Sequence, residues 1–234
     1  MTHRTNQSGL TQQFLEEVLT PDLESDKKGS SARVKWVARL TSITGVTIFA
    51  LLAIEGLSVP AISQLFTLHV VVGMILLPVM ALKIAVTSYR FLLYYLGRSD
   101  FVQAGPPWMP LRLIAPLIVL STVVLMLSGV ELMLVGPHGA SFTLWKPLHQ
   151  VAFVVWFILM VPHVLAYLMR AVRTSFGDLG RLQSRSYKTS TSSWTRTTLL
   201  WVALGVGVGL GLRITAYEPA WLNFFHTFIH GHIR

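Results

Sequence analysis

The stretch Pro147-Leu-His-Gln-Val-Ala-Phe-Val-Val-Trp-Phe-Ile-Leu-Met-Val-Pro-His163 contains no Asp, Glu, Lys or Arg, and its only ionisable side chains are His149 and His163. Uncharged apolar runs of this kind read as membrane helices once they extend to about 20 residues. The two histidines are fourteen positions apart, close to four whole helical turns. Both imidazoles therefore face one way, separated along the axis by about 21 Å. Ionisable side chains inside a membrane segment are costly to insert and face a bundle interior, where they mark functional sites.

Working outward, four more apolar stretches of spanning length accompany this one. The five lie at about 37–57, 62–83, 113–135, 148–169 and 197–213. The composition agrees: 53% of residues are hydrophobic, 12% are charged and the mean hydropathy is +0.59. That is too apolar for an ordinary soluble domain of this length. The expected fold is an all-α integral membrane protein, a four-helix transmembrane bundle plus a fifth transmembrane helix, with the lipid bilayer as its surroundings. Residues 1–35 read as a polar arm with a short surface helix around Leu10 to Leu19. Residues 36–170 read as the four-helix core, 171–196 as a connection, and 197–234 as the fifth helix with an outer carboxyl-terminal segment. The arm lacks the apolar region of a cleaved secretory signal.

Charge sets the expected orientation. The net charge is +9, yet sixteen of the nineteen Lys and Arg residues fall in the arm through Arg39, in the 83–112 connection and in the 170–196 connection. The positive-inside rule places these on the cytoplasmic side. It predicts a multi-pass protein of the cell (inner) membrane with a cytoplasmic amino terminus and an outer carboxyl terminus, and it accounts for the basic residues without nucleic acid as a partner. The second and fourth stretches then run in the same direction. His69, seven residues into the second, and His149, at the start of the fourth, share a level near the outer face. Fourteen residues beyond His69, at the level of His163, stands Lys83.

No cysteine is present, so disulfides, thiolate metal sites and covalent attachment of haem through C-x-x-C-H are excluded. A cofactor must be held by nitrogen or oxygen. Two neutral imidazoles on facing helices can supply both axial ligands of a haem iron while the porphyrin fills the apolar space between them. His69 and His149 are the expected pair, and Gly73 and Ala152, each about a turn further on, leave room for a ring. His163 is the candidate ligand of a deeper, second haem. There Lys83 either snorkels to the interface, ligates, or donates to a propionate. Lys146 and Arg90 are the candidate propionate partners near the two surfaces. Glu55 and Glu131, near outer helix ends, read as solvated carboxylates with proton acceptance from a quinol as the alternative. His226, His230 and His232 could converge on a metal, or the segment Trp221 to Ile229 could lie on the lipid surface as an interfacial helix. Gly205, Gly207, Gly209 and Gly211 form overlapping G-x-x-x-G spacings suited to close helix contact or oligomerisation.

The phrases Thr-Leu-His-Val-Val-Val-Gly at 67–73 and Pro-Leu-His-Gln-Val-Ala-Phe at 147–153, on co-directional stretches with a fourteen-residue histidine interval, resemble the four-helix membrane cytochromes b. These include the cytochrome b561-like and hydrogenase-type cytochrome b subunits. The likeness covers about 37–170. It implies haem b, one group with a second as the open alternative, and metal ligation by His69, His149 and His163. It also implies electron transfer between a quinol or cytoplasmic donor and an outer acceptor, with redox partner proteins. Lys83 departs from the pattern, because a two-haem member carries a histidine at that level. As an oxidoreductase component the chain reads as an electron-transfer subunit rather than a self-contained enzyme. The competing readings are a histidine-lined metal or proton transporter, and a membrane anchor subunit without redox function.

Overall fold

The computed structural model describes residues 31–104, 109–184 and 191–231, with side chains described at 31–103, 113–165 and 194–227. All regular structure among them is helical. Five helices are long and apolar enough to cross a membrane: α1 (Ala32–Ser58), α2 (Phe66–Tyr95), α4 (Met109–Val135), α5 (Phe142–Ser184) and α6 (Thr191–Ile214). The short α3 (Ser99–Ala104) follows α2, and α7 (Glu218–Gly231) closes the described chain. The surface helix expected near the amino terminus lies outside the described residues.

The helix ends differ from the sequence expectation where local chemistry outweighs hydropathy. α1 begins inside the segment read as a polar arm, because the Ser31 hydroxyl accepts the Val34 N–H at 3.3 Å and caps the helix. Val34, Val37 and Leu40 then bury against Val86 and Phe101, so the first turns are anchored by packing as well as by the cap. α2 starts at Phe66 rather than 62, because Pro60 sits in a single 3₁₀ turn (Val59–Ala61) between α1 and α2. Its far end is set by Gly97. That residue takes φ +71°, a region open to glycine, while the Arg98 N–H reaches back to the Leu93 carbonyl and the Gly97 N–H to that of Tyr94. α5 is 43 residues long, about 65 Å at the helical rise, and therefore continues well past a bilayer. Much of the segment read as a connection after residue 170 is thus helical.

Packing is arranged around α2 and α5. α2 lies against α1 on one side and α6 on the other, and α5 lies against α4 with a further contact to α1. The two histidine-bearing helices are not packed extensively on each other. Between them lies the main core, in which Leu76 and Val79 of α2 are fully buried beside Ala152 and Trp156 of α5, Leu125 of α4 and Ile48 of α1. One buried hydrogen bond, from Trp156 Nε1 to Thr122 Oγ1 at 3.0 Å, ties α5 to α4.

The glycine face of α6 divides its work. A Cβ at Gly207 would lie 2.6 Å from the Ile75 Cα, and one at Gly211 would lie 3.2 Å from the Val71 side chain. These two glycines let α6 close on α2 inside the protein. Gly205 and Gly209 have nothing within 4 Å of their Cβ positions and face outward.

Candidate functional site

His69 lies at the start of α2 and His149 in the third turn of α5. The two are close enough to interact electrostatically. His163, at the middle of α5, is close enough to Lys83 to interact electrostatically.

The local chemistry of His69 and His149 is matched. The Ser128 hydroxyl donates to the Leu125 carbonyl at 3.0 Å, and His149 Nδ1 lies 3.1 Å from that same Ser128 Oγ and 3.2 Å from the Leu125 oxygen. A carbonyl oxygen only accepts, so Nδ1 carries the proton. On the other side the Ser58 hydroxyl donates to the Glu55 carbonyl at 2.6 Å, and His69 Nδ1 lies 3.0 Å from Ser58 Oγ and 3.1 Å from Glu55 Oε1. Nδ1 again faces acceptors and carries the proton. In each ring the lone pair is therefore on Nε2. A hydrogen bond from the distal ring nitrogen to a carbonyl or carboxylate fixes the tautomer and orientation of a metal-binding histidine and raises its basicity.

Glycine supplies the space. A Cβ at Gly129 would come 2.9 Å from His149 Cε1, so the absence of a side chain lets that ring approach α4 closely. Gly73 stands otherwise than expected. A Cβ there would meet Glu55 Oε1 at 3.3 Å, so this glycine admits the carboxylate beside His69. Ala152 is buried in the main core.

The two carboxylates separate. Glu131 is exposed, in keeping with a solvated helix end. Glu55 departs from that expectation, because its side chain is only 17% exposed and engages His69, while its Oε2 is buried without a hydrogen-bond partner.

Lys83 turns into the bundle. Its ammonium donates to the Thr41 carbonyl of α1 and lies against Gly45, where a Cβ would be 3.2 Å from Nζ. Among the described residues it forms no ion pair with a carboxylate. Arg90 is half-buried further along α2, and Lys146 is exposed at the histidine end with Nζ 5.6 Å from the centre of the Phe142 ring.

The end of the bundle next to His69 and His149 is covered by α7. Trp221, 5% exposed, packs with its ring tilted against Phe66 at 5.4 Å and Phe142 at 5.8 Å between centroids, and Phe225 lies 5.3 Å from Phe66. Met133 and Ile214 complete this cluster. The segment expected to lie on the lipid surface thus seals its aromatic face against the core, while Leu222 and His226 on its other face are exposed. The side chain of His230 and all of His232 lie outside the described residues.

Sequence reasoning missed Ser58, Ser128 and Gly129. Each is a small residue in an apolar helix, and the signal available was a serine on the helix preceding each histidine-bearing one. Among the described residues no three His, Asp or Glu side chains converge on one point. Comparison with protein-family models, curated proteins and solved structures finds no match.

Proposed function

We propose that the protein is a membrane b-type cytochrome, relaying single electrons through one haem held between His69 and His149. The carrying observation is the matched pair of imidazoles. Each commits its Nδ1 proton to acceptors on the preceding helix and presents Nε2 as its ligating nitrogen. When bound, the haem supplies a one-electron couple that no side chain here offers. The protein's own residues orient and exclude. Ser58, Glu55, Ser128 and the Leu125 carbonyl fix the two rings, Gly129 admits one of them, and Leu76, Val79 and Trp156 keep water from the interior.

The distribution of Lys and Arg supports a cytoplasmic amino terminus, which puts the histidine pair and α7 toward the outer side. Electrons would pass between a quinol or cytoplasmic donor and an outer acceptor, with partner proteins completing the path. One haem is assigned rather than two, because Lys83 is spent on the Thr41 carbonyl instead of facing a second iron. A second reading, a proton relay, draws on the buried contact between Glu55 and His69.

The test is the spectrum of the purified full chain with a pyridine haemochrome count. The expected result is a dithionite-reduced b-type Soret and α-band at one haem per chain, lost in His69→Ala and His149→Ala and retained in His163→Ala. A colourless folded protein would favour the proton relay, and pigment surviving in His69→Ala would overturn the ligand assignment.

A further inference from the structure

The end of the bundle remote from the histidine pair gathers positive charge around a folded elbow. α2 is 30 residues long, about 45 Å at the helical rise, against about 30 Å of bilayer hydrocarbon. Tyr89, Tyr94 and Tyr95 mark its last turns as the part at headgroup level, where aromatic side chains collect. Gly97 then turns the chain, and α3 comes back into contact with both α1 and α2. Phe101 of α3 is buried with Val34, Val37 and Leu40 of α1 and Val86 of α2. This plug brings cations from distant parts of the sequence to one rim. Arg33, Lys35 and Arg39 flank the buried residues of α1, and Arg98 lies one turn before Phe101. Arg33 and Arg98 are exposed, Lys35 and Arg39 half-buried. Among the described side chains at this end Asp100 is the only carboxylate, and it accepts the Ser99 hydroxyl at 3.4 Å.

Apolar surface accompanies the charge. Leu92 and Leu96, four apart at the end of α2 and therefore on one face, are exposed, Leu96 at 73%, and so is Val102 beside the buried Phe101. A soluble phosphate or a nucleic acid would satisfy the cations and leave these side chains against water. A partner that meets both has an anionic head and a hydrocarbon body. The positive-inside rule accounts for the number of cations at this end, but not for their gathering around one plug or for the leucines beside them. We infer that the elbow between α2 and α3, with the start of α1, is a binding surface for an acidic phospholipid. Its headgroup sits on the rim of Arg33, Lys35, Arg39 and Arg98, and its chains lie along Leu92, Leu96 and Val102. Basic clusters of this size next to a spanning helix select anionic lipid, and the arginine fork can grip two phosphate oxygens at once. The surface is independent of the histidine pair and of any haem it holds.

The test reconstitutes the full chain in dioleoylphosphatidylcholine vesicles with a trace of spin-labelled phosphatidylglycerol or of spin-labelled phosphatidylcholine carrying the same chains. Electron paramagnetic resonance reads the immobilised fraction of each label. The acidic label is expected to associate at least about tenfold more strongly than the zwitterionic one, at a saturable site. Removing one surface cation costs about fivefold, so Arg33→Gln and Arg98→Gln should each lower the preference by about that factor. Replacing Lys146 and Arg213, both exposed at the opposite end, by glutamine should leave it unchanged. Inorganic phosphate in the buffer should not displace the acidic label, because it offers nothing to the leucines. Equal association of the two labels would overturn the surface. So would an equal loss in the Lys146 and Arg213 variant, which would mean attraction spread over the whole molecule, or displacement by phosphate, which would mean an anion site that ignores the chains. The comparison of labels and the phosphate competition use the wild-type protein and decide the matter even if a variant fails to fold.

Discussion

Replacing Gly129 by alanine separates the positioning of His149 from the stability of the fold. The new methyl would stand 2.9 Å from His149 Cε1 and 3.3 Å from Nδ1. Carbon atoms in contact settle at about 3.5–4.0 Å, so the ring must retreat by about 0.6 Å or more. The Nδ1 hydrogen bonds, at 3.1 Å to Ser128 and 3.2 Å to the Leu125 carbonyl, lie near the upper limit already. Such a retreat takes them to about 3.7 Å, where they no longer count as hydrogen bonds. The obstructing atoms belong to a side chain that can turn, so the backbone of α4 need not move, and alanine gains up to about 1 kcal/mol of helix propensity over glycine. The thermal midpoint of the haem-free protein is therefore expected to hold or rise slightly. Affinity for haem should fall about 10- to 100-fold, the usual consequence of disturbing the groups that orient a metal ligand. Haem titration of the apoprotein followed at the Soret band measures the second quantity, and differential scanning calorimetry the first. Unchanged haem affinity with an unchanged spectrum would refute the argument that α4 sets the His149 ring.

Two further outcomes follow from the packing. Gly207→Ala drives a methyl to 2.6 Å from the Ile75 Cα, a backbone atom that cannot swing aside, so thermal stability should fall by about 1–3 kcal/mol. Gly209→Ala, with nothing within 4 Å, should leave it unchanged, and equal effects of the two would contradict the packing of α6 on α2. Lys83→Met removes a charge from among apolar helices and is expected to raise the thermal midpoint or leave it unaltered, with pigment per chain retained. Loss of half the haem in this variant would mean that the Lys83 level holds a cofactor of its own.

The membrane fold was legible because hydropathy and helix length depend on long stretches of chain, which average over local detail. The expectation that His69 pairs with His149 in level, and Lys83 with His163, rests on the same kind of reading: a rise fixed per residue converts spacing into depth. What held each histidine was not. Ser58 stands eleven residues before His69 and Ser128 twenty-one before His149, and no periodicity within one helix links residues that meet only when two helices pack. Glu55 was misjudged because a carboxylate near a helix end is ordinarily solvated, and only the fold shows Gly73 and His69 enclosing it. The inward turn of α7 depended on Thr67 and Phe66, more than 150 positions away.

Each histidine finds its acceptors on the helix immediately before its own: α1 serves His69 and α4 serves His149. During biosynthesis each histidine is consequently oriented as soon as its own helical hairpin has entered the bilayer, without waiting for the rest of the chain. The two hairpins are separate workpieces, and a porphyrin gripped from both sides would rivet them together last. Chains 31–104 and 109–231 made as separate polypeptides already share the packing of α6 and α7 on α2, and should accordingly reassemble more tightly when haem is supplied than when it is withheld.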